Sequence, residues 1–102
     1  MKHTNDDDID SQVIHQESQL ALAYWERGNA YFNLGEYQRA SEDYGRAIRQ
    51  DPDFAFAYAD RALAYTLLGK DKEAQQDVDR AVELGYDRAR LEVVIEEAKS
   101  LR

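Results

Sequence analysis

The stretch ERGNAYFNLGEYQRASEDYGRA, Glu26 to Ala47, is answered 34 residues later by DRALAYTLLGKDKEAQQDVDRA, Asp60 to Ala81. Laying residues 21–54 over 55–88 gives 13 identities, among them Ala23/Ala57, Tyr24/Tyr58, Arg27/Arg61, Ala30/Ala64, Tyr31/Tyr65, Gly35/Gly69 and Asp43/Asp77. A fixed period of this length is the mark of a stacked repeat, in which each unit buries its apolar face only against a neighbour. The second copy is there to cover the first.

Within each copy the apolar and small residues fall at helical spacing. Ala23, Arg27, Ala30, Tyr31 and Leu34 share one segment; Ala40, Tyr44, Ala47 and Ile48 share the next. Each unit is therefore a pair of helices. Gly35 and Gly69 stand where the first helix of each unit must stop, because glycine takes the left-handed conformation of a helix C-cap at little cost. Alanines at 30, 40 and 47, and again at 64, 74 and 81, allow paired helices to approach closely. Asp51-Pro52 reads as an N-cap followed by a first-turn proline that starts the third helix. Five helices are expected, near 13–34, 37–50, 53–68, 71–84 and 88–101.

The pattern resembles the tetratricopeptide repeat family. Its motif is matched by Tyr24, Gly28, Tyr31, Gly35, Ala40, Tyr44, Ala47 and Pro52, then by Tyr58, Ala62, Tyr65, Gly69, Ala74, Val78 and Ala81. Arg27 and Arg61 depart from it where leucine is common, as does Tyr86 where proline is expected. The resemblance implies an all-α fold, a right-handed superhelical stack of two helix hairpins (21–54 and 55–88) plus a C-terminal capping helix over 89–102. In that helix Leu91, Val94, Ile95, Ala98 and Leu101 form the apolar side, and Glu92, Glu96, Lys99 and Ser100 lie largely opposite. The domain is expected to span 13–102, after an acidic, disordered leader over 1–12 with four aspartates between Asp6 and Asp10. That leader lacks the glycine and distal glutamate of a calcium loop.

The chain has 102 residues and a formal net charge of -8, half of it within residues 1–20. An acidic surface repels phosphate backbones, so nucleic acid is not expected as a partner. No apolar run approaches the length of a membrane span, and the start lacks the basic and apolar regions of a signal peptide, so cytoplasm is the expected compartment. There are no cysteines and two histidines, His3 and His15, in or beside the leader. No nucleophile, base and acid can be combined, and no glycine loop for phosphate is present, so neither catalysis nor a cofactor or metal is expected. The neighbouring carboxylates Glu42-Asp43 and Glu96-Glu97 read as solvated faces.

The resemblance also implies that function lies in a concave groove lined by the first helix of each pair. Transferred by position, the groove residues are Leu22, Trp25, Glu26, Asn29, Phe32 and Asn33 in the first unit. In the second they are Phe56, Ala59, Asp60, Leu63, Thr66 and Leu67, and the cap adds Arg90, Val93, Val94 and Glu97. Exposed aromatic patches of this kind mark partner sites. Trp25 and Phe56 would anchor an apolar segment, Asn29 would bond its backbone, and Glu26 and Asp60, at the same repeat position, would select lysine or arginine. The expected role is that of a protein or peptide-binding module; the alternative is a homo-oligomeric scaffold in which another copy fills the groove or the open end of the stack. A subclass of the family clamps the acidic tails of chaperones, but its five clamp positions here hold Trp25, Asn29, Asp60, Arg90 and Val94. Two match, and Asp60 would repel the ligand carboxylate.

Overall fold

The computed structural model describes residues 6–102, with side chains from His15 onward. Five helices follow in order: α1 (Asp6–Asn33), α2 (Tyr37–Gln50), α3 (Ala55–Leu67), α4 (Asp71–Glu83) and α5 (Arg88–Ser100). No strand occurs among the described residues. None of these helices is long and apolar enough to cross a membrane. α1 pairs with α2, α3 lies on α2 and pairs with α4, and α5 closes the far end.

The hairpin turns follow from glycine. Gly35 and Gly69 both have φ of 79°. In each, the next residue's amide reaches back across the turn, Glu36 N–H to the Tyr31 carbonyl at 2.9 Å and Lys70 N–H to the Tyr65 carbonyl at 2.8 Å. These bonds satisfy carbonyls that the helix end leaves open. The turn after α4 has the same form, with Tyr86 N–H bonded to the Ala81 carbonyl.

Three expectations change. α1 begins at Asp6, not at residue 13, so helix covers residues 6–12 of the supposed leader. Residues 1–5 of the leader lie outside the described residues. α3 starts at Ala55, and Asp51-Pro52 forms the preceding turn instead of capping it. Asp51 is extended (φ -141°, ψ 92°) as a residue before proline tends to be, and its carboxylate accepts the Asp53 amide. Leu101 is exposed, while Arg102 folds back to donate to the Thr66 carbonyl and to pair with Asp71.

The core is built from small residues facing large ones. Ala40, Ala47, Ala57, Ala62, Ala64 and Ala81 are fully buried. Ala23 and Ala30, the first-unit copies of Ala57 and Ala64, are exposed, because the helix that would cover them belongs to a preceding unit. Gly28 lies against the buried Tyr44 ring so closely that a Cβ would sit 2.7 Å from it. The second unit solves the same contact with Ala62 and Val78, one atom more on one side and a smaller side chain on the other.

Gly28→Ala should therefore destabilise by about 1–3 kcal/mol, since the Tyr44 ring, tied to Asn29 through its hydroxyl, would have to shift. Adding Tyr44→Val, which reproduces the second unit, should cost at least about 1 kcal/mol less than the sum of the two single changes, as read by urea denaturation of all four proteins. Additive costs would show that the two side chains do not share this contact. Ala64→Leu, overpacking the α2–α3 contact, should likewise lower the midpoint by about 1–3 kcal/mol.

Candidate functional site

An aromatic ledge runs across the first helices of the two units. Trp25 on α1 stacks on Phe56 of α3 with ring centroids 6.2 Å apart and leans on Phe54 at 5.5 Å. Tyr86, at the exit of α4, meets Phe56 edge-on at 5.9 Å. Phe56 remains 56% exposed although the rings of Trp25 and Tyr86 both contact it. Beside the ledge is a hollow of about 300 Å³ lined by Asn29, Phe32, Asn33, Tyr44, Asp60 and Leu63.

Two hydrogen bonds set the polar character of this face. The Trp25 indole N–H donates to Asp60 Oδ2 at 2.7 Å, joining the two units directly. The Tyr44 hydroxyl donates to Asn29 Oδ1 at 2.6 Å, and the Asn29 amide NH₂ has no hydrogen-bond partner among the described residues. Burial pushes the Asp60 carboxyl above its ordinary value, and the indole bond offsets only part of this. Burial also pushes the Tyr44 hydroxyl up, helped by the charges of Asp60 and Asp43.

Of the sequence-predicted residues, the fold brings together Trp25, Phe56 and Asp60 at the ledge, and Asn29, Phe32, Asn33, Asp60 and Leu63 at the hollow. Phe32 is half-buried against Tyr37, 5.1 Å away. Leu22 and Leu67 border neither group, and Arg90 stands exposed on the first turn of α5. Glu26 is exposed and has no ion-pair partner among the described residues. Asp60, expected to act with Glu26 as a second open acid, is instead half-buried under the Trp25 bond, because a residue at that position on α3 lies within reach of α1. α5 follows α3 more closely than α3 follows α1. It buries Ala59 and packs on Leu63. Thr66 is also buried, donating to the Ala62 carbonyl.

Tyr44, Phe54 and Tyr86 were missed. Tyr44 was legible as a core aromatic; that the family's usual phenylalanine is a tyrosine here was the signal that its hydroxyl needs a polar partner.

Away from the groove, Arg27 donates twice to Asp43 at 2.7 and 2.8 Å, and Arg61 repeats the bond to Asp77 at 2.8 and 2.9 Å. Asp43 is fully buried, which overturns its reading as part of a solvated face, whereas Glu42, Glu96 and Glu97 are exposed. The common separation of 16 residues in both copies was the signal. Bonds from Arg27 and then Arg46 hold Asp43 below the ordinary carboxylate range despite its burial. Its contribution to stability is thus present above the unfolded value near ~3.9 and is lost as pH falls through the folded one. Among the described residues no group of three His, Cys, Asp or Glu side chains is placed to hold a metal. The leader aspartates lie outside the described side chains.

Residues 28–69 match the family model described as TPR repeat. Over these residues the chain is similar to the tetratricopeptide repeat. The match runs from Gly28 in α1 through the first turn and α2 to Gly69 at the end of α3, and so takes in the hollow and Phe56. Tetratricopeptide repeats generally serve as non-catalytic modules that bind proteins or peptides. No curated protein matches the chain.

Asp60→Asn keeps an acceptor for Trp25 and removes a desolvated charge. Because the folded Asp60 value is raised, ionised Asp60 costs stability above that value and not below the unfolded one. The variant should be at least as stable as wild type at neutral pH, and the advantage should vanish by about pH 3, measured by urea midpoints at both. A less stable variant at neutral pH would show that the charge itself holds Trp25.

Proposed function

We propose that the chain is a non-catalytic interaction module that takes an apolar protein segment carrying a basic residue along the face of α1 and α3. The segment lays a large side chain on Phe56 and Trp25 and another into the hollow between Phe32 and Leu63. The Asn29 amide bonds its backbone. Glu26, exposed one turn from Asn29, attracts the lysine or arginine, with Asp60 adding a weaker, screened field.

The observation that carries this reading is Phe56: a large aromatic side chain left more than half exposed on a stacked cluster, beside a hollow with an unused donor. Rigid aromatic anchors of this kind dominate binding energy where they occur. Placement of Asp60 under the indole also argues against a clamp for acidic tails, since a carboxylate entering there meets a carboxylate.

Trp25 is the single tryptophan of the chain, so its emission reports occupancy of the ledge. Segments selected from a random peptide display against the full chain should be rich in aromatic or aliphatic residues flanking Lys or Arg. Their affinity, read from Trp25 fluorescence, should fall about tenfold in Phe56→Ala, and Glu26→Gln should weaken the basic preference. Selection of peptides ending in acidic residues, or binding indifferent to Phe56→Ala, would overturn the reading.

A further inference from the structure

Away from the ledge, cations of this acidic chain gather around one opening. A hollow of about 270 Å³ lies between α2 and α3, and Arg46 and Arg49 of α2, Arg61 of α3 and Lys70 of the following turn line it around Gly45. Glu42 is the one acid in that lining. The chain carries 21 acidic residues against 13 lysines and arginines, so four cations around a single hollow run against its overall balance.

Two guanidinium groups converge there. From the place a Cβ on Gly45 would take, Arg61 Nη1 is 3.5 Å away and Arg49 Nη1 is 4.0 Å away. Arg61 gives its Nε and Nη2 hydrogens to Asp77, which leaves Nη1 to the hollow. Arg49 is exposed, and neither it nor Lys70 enters an ion pair among the described residues. Packing does not demand the glycine: both distances are contacts an alanine would make without strain, and alanine is the more stable residue inside a helix. Its bare backbone leaves the space between the two arginines unfilled.

The second unit shows the alternative. At the equivalent positions Gly45 becomes Asp79 and Arg49 becomes Glu83. Both acids are spent on the chain's own cations, Asp79 on Arg88 at 3.3 Å and Glu83 on Arg80 at 3.4 Å. The first unit supplies no acid at these two positions. Where the second unit brings its own anion, the first has room for one from outside.

Charge decides which anion fits. Arg27, Arg46, Arg49, Arg61 and Lys70 stand around Asp43, Asp77 and Glu42, an excess of two positive charges. A carboxylate would neutralise half of it. A phosphomonoester carries about -1.5 to -2 at neutral pH and offers three acceptor oxygens, enough for both guanidinium groups and an ammonium. A long polyanion would meet the acidic remainder of the chain.

We propose that this hollow binds a single phosphomonoester group, its oxygens bridging Arg49 Nη1 and Arg61 Nη1 over Gly45, with Lys70 adding charge from the rim. Inorganic phosphate and a phosphorylated side chain share this chemistry. The site has no residue in common with the Trp25–Phe56 ledge or with the hollow beside Asn29, so it stands independently of the proposed peptide binding.

Two-dimensional NMR of the full chain at fixed pH and ionic strength tests this with inorganic phosphate, blocked phosphoserine and acetate as probes. The Gly45 amide and the Arg49 and Arg61 Nε resonances should shift and saturate with the two phosphates, and acetate should bind at least ~10-fold more weakly. Tighter binding of blocked phosphoserine assigns a phosphorylated side chain as the source; tighter binding of inorganic phosphate assigns the free ion. Arg49→Gln, on an exposed side chain, should keep the helical circular dichroism and weaken both phosphates at least ~10-fold. Gly45→Asp, which copies the second unit, should fold and lose the binding because its own carboxylate takes the arginines. Shifts no larger than chloride produces, acetate binding as tight as phosphate, or binding that survives Arg49→Gln or Gly45→Asp would each overturn the proposal.

Discussion

The contact of α3 on α2 is what the remainder of the molecule depends on. One helix hairpin of this composition has an apolar face that it cannot cover itself, and the second hairpin covers it through Ala57 and Ala64, both free of solvent exposure. Packing at that distance leaves no space for larger side chains, which is why alanine and glycine recur where two helices touch. The same logic sets the two ends. At the far end α5 covers α3 and α4 through Leu91, Ile95 and Ala98. At the near end Ala23 and Ala30, on the equivalent face of α1, are exposed among the described residues.

Polar groups specify how the hairpins meet. The Arg27–Asp43 and Arg61–Asp77 pairs join the two helices of each unit at the same place, and taking each aspartate out of water costs part of what its attraction to arginine returns. The pairs are not equivalent. Asp43 accepts from two arginines and is held below its ordinary value, whereas burial pushes Asp77 up in spite of Arg61. Between units the link is neutral on one side: the Trp25 indole on Asp60 ties α1 to α3 and orients the ring for stacking with Phe56. One bond thereby serves both the fold and the candidate binding face.

Much was legible in the chain itself. The period of 34, the glycines at 35 and 69 and the helical spacing of alanine and tyrosine each rest on local rules, namely helix geometry, left-handed glycine and the volume of a methyl group. They place five helices; the face on which Trp25, Asn29, Phe32 and Phe56 stand is what the resemblance to the tetratricopeptide repeat implies. Gly85 follows the same local rule, and its turn differs from the others only in leading to the cap.

What tertiary structure alone decided is the fate of individual polar groups and of the cap. Asp43 and Glu42 are neighbours of the same chemical type, and nothing local distinguishes them; only the arrival of Arg27 from the facing helix makes one buried and leaves the other in water. Asp60 ceases to be an open acid because an indole on another helix lies 2.7 Å away. The path of α5, which buries Ala59 and packs beside Leu63, depends on how a helix settles against two others at once. Local sequence determines where helices begin, end and turn their small residues, since those preferences act within a few residues. Burial, ion pairing and the shape of a binding face depend on residues far apart in the chain and on which of them arrive together.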